Sequence, residues 1–154
     1  MSTTNEIRAL DLTQRPPRSM RVRLGGYAIL PRVLDKCRAV LVGKNGEYKF
    51  NCPLDQHLFN FVGIDAEAFK AEVAKGAGDS GMLAWVQANA KVQRSPWEIQ
   101  QWSAYHDNRG PDSDAETLAY FANAVAKLST TREDIRAWAD MLDLDDHVSC
   151  GGQP

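Results

Sequence analysis

The side chains that could do chemistry fall into three groups: a cysteine before a helix start, a run of acids near the C-terminus, and a string of arginines near the N-terminus. In NCPLDQHLFNFVGID, Asn51 to Asp65, Cys52 stands directly before Pro53 and an apolar, helix-like run. Unpaired backbone N–H groups and the positive end of a helix dipole favour a thiolate at such a place. Cys52 is therefore a candidate nucleophile. His57 sits about 140° round the helix from it, so a base would have to come from His106, His147 or an acid. The other reading is a small apolar plug, the usual role of a free cysteine. The alternation Tyr48, Phe50, Cys52 favours it by pointing the thiol at the core.

The acids are Asp140, Asp143, Asp145 and Asp146, followed by His147. No C-x-x-C, H-x-x-x-H or H-E-x-x-H occurs, and the glycine and glutamate of a calcium loop are not in place. No metal and no cofactor are expected. Acids beyond a helix C-terminus oppose the dipole, so they need a compensating cation: a bound ion, or the chain's own arginines. Arg15, Arg18, Arg21 and Arg23 precede Gly25-Gly26-Tyr27 and a helix, an arrangement that could hold a phosphate or carboxylate. Neither phosphate-loop nor dinucleotide fingerprint is present.

The elements that must position these groups read mainly as helices. Pro16-Pro17 and the alternation of Met20, Val22 and Leu24 against Arg21 and Arg23 predict an extended basic arm, broken by Gly25-Gly26. Leu30, Val33, Leu34, Cys37 and Leu41 form one helical stripe, ended by Gly43. Asn45-Gly46 between apolar runs leaves room for a small hairpin near residues 39–51. Pro53 opens a helix that Gly63 closes, and Asp65 caps the next, to Lys75. A helix over about Ser80 to Lys91 follows. Ser95…Glu98, Ser113…Glu116 and Thr130…Glu133 read as capping boxes opening the last helices. Trp97 and Trp102 lie about 140° apart on the first of these, with Tyr105 near the second. A helix apolar on two faces is either central or partly free for a partner.

A chain of 154 residues, 44% hydrophobic and 25% charged, is one globular domain. The expected organisation is a loose stretch over 1–12, a single helical domain over 13–150 and a free tail over 151–154. No apolar run reaches the length of a membrane span, no secretory signal is apparent, and three unpaired cysteines suit a reducing cytosol. Residues 1–50 hold ten Lys/Arg against four Asp/Glu, and residues 51–154 hold eight against sixteen. The split means either an arm for an anionic partner or an arm laid across the acidic body of the same chain. Overall acidity argues against nucleic acid.

LGGYAILPRVLDKCRA, NCPLDQHLFNFVGID, RSPWEIQQWSAY and REDIRAWADMLDLDD, in this order, resemble an uncharacterised family of small bacterial proteins, the domain-of-unknown-function family numbered five thousand and sixty-nine. The resemblance runs from about Asp11 to about Gly151 and implies a complete single-domain member. It implies no activity. The family's polar positions match Arg32, Asp35 and Lys36 in LPRVLDK, Glu98, and Asp143 and Asp145 near the end. Arg32 and Lys36 share one side of a helix, so they could pair with the acids around Asp143–Asp146 or, if open to solvent, line a charged pocket.

The expected protein is a mainly α bundle of roughly seven short helices acting as a cytosolic binding module. Its partner would be a protein or a small anionic ligand, held by Arg18, Arg21, Arg23, Arg32, Lys36, Trp97, Trp102 and Tyr105. The alternative is a small enzyme using Cys52 or the carboxylates Asp35, Asp143 and Asp145 with Arg32.

Overall fold

A computed structural model describes residues 6–154. Seven helices make up its regular structure: α1 Leu30–Leu41, α2 Pro53–Val62, α3 Ala66–Val73, α4 Asp79–Asn89, α5 Pro96–Asn108, α6 Ala115–Leu128 and α7 Trp138–Ser149. None of them is long and apolar enough to cross a membrane.

Helix α1 is the centre. Leu30, Val33, Leu34 and Cys37 are buried, as their stripe predicts, but so are Pro31, Arg32, Asp35 and Lys36 on its other faces. A helix enclosed all round must bring partners for its charges. Helices α2 and α3 pack on α1, while α5 and α6 both pack on α7. Phe59 and Phe69 meet edge to face at 5.2 Å, and Phe50 stacks on Phe69 at 6.3 Å, closing the core beneath α1.

The helix ends follow local chemistry. Cys52 is the N-cap of α2 with Pro53 at its first position, and Gly63 ends the helix at φ +68°. Asp65 caps α3 by accepting from Ala68 N–H at 3.0 Å. Ser95 and Glu98 form the full capping box of α5. Two expected boxes shift. Asp114, not Ser113, caps α6, accepting from Thr117 N–H at 2.9 Å. Thr130…Glu133 opens no helix at all. Ser129 Oγ accepts from Thr131 N–H and Arg132 N–H, both at 3.2 Å, turning that segment into a loop. Helix α7 starts eight residues past Thr130, at Trp138, where Asp140 Oδ2 accepts from Ala137 N–H at 2.8 Å and Arg136 N–H at 3.0 Å. The acids therefore lie inside α7 rather than beyond its end.

The arm is irregular rather than strand-like. Met20 is buried, but Val22 is 40% exposed, because a turn at Ser19–Val22 breaks the alternation. No hairpin forms over 39–51. Tyr48 N–H and the Asn45 side chain close a turn on each other's carbonyls at 3.0 and 2.9 Å, and Lys44 gives its carbonyl to Leu12 N–H at 2.9 Å, so no ladder is left to pair. Of the expected loose stretch, residues 1–5 lie outside the described residues, whereas Leu12 is buried. At the other end Gly152 N–H donates to the His147 carbonyl at 2.8 Å.

Gly25 and Gly26, at φ +58° and +84°, make the two-residue turn between bridged Leu24 and Tyr27. A Cβ on Gly25 would stand 2.5 Å from Leu83 Cδ1. Ser103 Oγ of α5 ties this turn down, donating to the Gly26 carbonyl at 2.8 Å and accepting from Ala28 N–H at 2.9 Å. Ile29 follows at φ +72°, held by its bond to the Met20 carbonyl at 2.9 Å. For a β-branched residue such a backbone costs about 1–3 kcal/mol.

Candidate functional site

The arm lies across the acidic body. Arg18 forks between Asp35 (3.0 Å) and Asp79 (2.8 Å), and its backbone N–H also donates to Asp35. Arg21 reaches Asp140 at 2.5 Å and Asp143 at 3.0 Å, and Arg23 reaches Asp107 at 2.5 Å. Burial works against the charge on Arg18 and Arg21, but these carboxylates outweigh it and raise both pKa values. Ser19 Oγ adds a 2.7 Å bond to Asp143. Asp79 takes a second arginine, Arg38 of α1, at 2.8 Å.

Deeper in, α1 and α7 are joined by a buried pair. Arg32 donates to Asp146 through two nitrogens at 2.7 and 3.2 Å, and Tyr48 O–H donates to the same carboxylate at 2.8 Å. Burial, then this carboxylate, raises the Tyr48 pKa, so the phenol keeps its proton. One helical turn along α1, Lys36 Nζ lies 2.7 Å from Asp55 Oδ1 and 3.3 Å from Cys52 Sγ. Asp55 is fully buried, and its other oxygen accepts from Asn51 N–H at 2.9 Å.

The expected carboxylate cluster does not assemble. Asp35 belongs to Arg18, Asp143 to Arg21 and Ser19, and Asp145 accepts from Ser149 Oγ at 3.2 Å. Arg32 pairs with Asp146, the last acid of the expected Asp143–Asp146 cluster, whereas Lys36 pairs with Asp55 of α2 instead. Arg32 and Lys36 do share a face, but it is closed rather than an open charged pocket. Among the described residues no group of three His, Cys, Asp or Glu side chains could hold a metal ion.

The aromatic helix α5 divides its residues. Trp102 stacks flat on Phe61 at 4.5 Å, while Trp97 (65% exposed) and Tyr105 (61%) face solvent. His106, buried, lies 5.0 Å from His57 of α2. Burial first, then His57 and Arg109, push the His106 imidazole down to about 4. His57 is lowered by burial and by Arg109. His57 thus faces a second histidine and not Cys52.

At the start of α5 the turn, α4 and α5 enclose a pocket of about 290 Å³, lined by Gly25, Tyr27, Gln87, Arg94, Pro96 and Ile99 among others. Arg94 is fixed in place: its guanidinium lies over the Phe61 ring at 4.4 Å, Nε donates to the Phe61 carbonyl at 3.1 Å, and Nη1 meets Glu98 at 3.3 Å. Tyr27 is 3% exposed as a residue, but its hydroxyl is not among the buried atoms left without a partner: it makes no hydrogen bond among the described residues and lines the pocket. Burial raises its pKa, with Arg94 opposing, so the hydroxyl remains a donor. Sequence reasoning named Tyr27 only as part of the turn after the arm and passed over Arg94. The only hint was their adjacency to the glycine pair and to a capping box.

A family model described as a domain of unknown function (DUF5069) matches residues 14–148. None of the curated proteins compared with the chain matches it.

Proposed function

Because the chain belongs to the DUF5069 family, whose description assigns no activity, we propose a function from its own residues: it binds a small anionic ligand in the pocket between the Gly25–Tyr27 turn, α4 and α5. The observation that carries this is the Tyr27 hydroxyl, which lines the pocket with no hydrogen-bond partner among the described residues, together with a pre-positioned Arg94. Arg94 Nη2 has no partner among the described residues and supplies the charge. The Tyr27 O–H and the Gln87 amide orient the anion, and Ile99 and Pro96 accept a short apolar portion. Arg18, Arg21 and Arg23 of the arm, by contrast, are committed to Asp35, Asp79, Asp107, Asp140 and Asp143. On this reading the protein works in the bacterial cytosol, where three free cysteines stay reduced.

Titration calorimetry against inorganic phosphate and a series of short carboxylates tests the reading. Saturable binding of at least one is expected, weakened about tenfold or more by Tyr27→Phe and by Arg94→Gln, each of which removes one hydrogen-bonding group. Arg18→Gln should leave Kd unchanged. Binding that ignores Tyr27 and Arg94 but falls with Arg18 would return the site to the arm, and a flat titration across the series would remove the reading.

A second reading, a protein partner, is favoured by exposed Trp97 and Tyr105 on one flank of α5. Substituting Trp97 by alanine should then abolish any co-purifying protein while leaving the anion titration intact.

A further inference from the structure

Cys52, Lys36 and Asp55 remain after the pocket is accounted for. The three cysteines differ in surroundings. Cys37 is fully buried and its thiol is pushed up to about 12 by burial, so it stays protonated and inert. Cys150 is exposed just past α7. Cys52 alone has an amine against it: Lys36 Nζ at 3.3 Å from Sγ, on a side chain only 4% exposed and anchored by Asp55 at 2.7 Å. Held at both ends, this amine has little room to move away from the sulfur. Cys52 itself is half-buried at the start of α2 rather than enclosed as Cys37 is.

We infer that Lys36 and Cys52 are a redox-sensitive pair, which peroxide joins covalently through one bridging oxygen, Nζ–O–Sγ. This chemistry is independent of the anion pocket. The first hydrogen peroxide oxidises the thiol to a sulfenic acid, breaking its O–O bond and releasing one water. Lys36 passes its extra proton to Asp55 or to solvent, leaving a neutral amine at contact distance. A second peroxide takes the remaining two electrons as the N–O bond forms, and two more waters leave. Per site, amine, thiol and two peroxides give the bridge and three waters. The sulfur ends at the sulfenyl level and the nitrogen at the hydroxylamine level. A thiol reductant reverses the bridge. Lys36 loses its charge in the process, and α1 becomes stapled to the first turn of α2 across the turns of residues 42–51.

The experiment is intact-mass and peptide mapping of the full chain carrying Cys150→Ser, treated stepwise with hydrogen peroxide. One added oxygen less two hydrogens is expected, a gain of about 14 mass units, reversed by dithiothreitol. Trypsin should leave the Lys36 peptide uncut and joined to the Cys52 peptide. Cys52→Ser should show no such gain. Lys36→Arg, which keeps a cation on Asp55, should stop at the sulfenic acid, about 16 mass units, trappable by dimedone. Only oxygen additions on wild-type Cys52 with no joined peptides would overturn the inference. So would joined peptides about 2 mass units lighter, which mark a Cys37–Cys52 disulfide. If Lys36→Arg does not fold, the wild-type peptide map decides alone.

Discussion

Arg32 and Asp146 bring opposite charges into the interior, 114 residues apart in sequence, with two bonds between them and Tyr48 completing the carboxylate. Two desolvated charges of this kind add little net stability as a pair, but removing one strands the other. Asp146→Asn or Arg32→Met is therefore expected to lower the unfolding free energy by about 3–5 kcal/mol, measured by denaturant titration. Arg32→Met combined with Asp146→Leu should recover most of that loss. If the double variant is as unstable as either single one, the pair is not the source of the effect. At this scale Arg32 and Lys36 were legible as a basic face with acids as partners, and Cys52 as a helix cap. The partner's identity was not. Asp143 and Asp146 stand one turn apart on the same side of α7 and Asp145 about 100° round from Asp146, and only packing against α1 selects the last.

At the scale of the element, helix starts depend on which side chain captures the free N–H groups. Ser95 does so for α5, while Thr130, in an equally convincing sequence pattern, caps nothing because Ser129 has already claimed the local donors. Ser95→Ala should cost about 1 kcal/mol. Thr130→Ala, by the same measurement, should stay within about 0.5 kcal/mol, as a surface change remote from any cap does. Equal losses at the two sites would mean that the loop before α7 is more structured by Thr130 than its bonds indicate. The stripe of α1 was readable because a 3.6-residue period is a local property. The start of α7 was not, since it turns on competition between neighbouring hydroxyl and carboxylate acceptors.

The pH response belongs to the whole molecule, because it arises where α2 and α5 meet. An unfolded imidazole titrates near 6.5, whereas His106 is held down to about 4 by burial, His57 and Arg109, with Asp107 opposing. Its folded pKa lies below its unfolded one, so the unfolded chain binds the extra proton. Stability is fully present above pH 6.5 and falls as the pH drops toward 4. His57, also lowered, adds in the same direction. Unfolding free energy measured from pH 7.5 down to 5 should decline, by on the order of 1–2 kcal/mol over that span. His106→Phe, which keeps a ring against Trp102, should flatten much of the slope. An unchanged slope in that variant would assign the titration elsewhere.

By itself the sequence determined the class of object: a mainly α, single-domain chain, the order of its helices, most of their ends, and a basic first third facing an acidic remainder. All of these follow from periodicity, proline and glycine placement, and composition, which act over a few residues or over the whole count. Tertiary structure decided which cation meets which acid, that Arg18, Arg21 and Arg23 are occupied, and that His57 faces His106. It alone built the pocket, which takes Tyr27 from a turn, Gln87 from α4 and Arg94 from the loop before α5. Each of these depends on the distance between segments far apart in the chain. Those distances are set by how the buried faces fit around α1, and no local pattern records that fit.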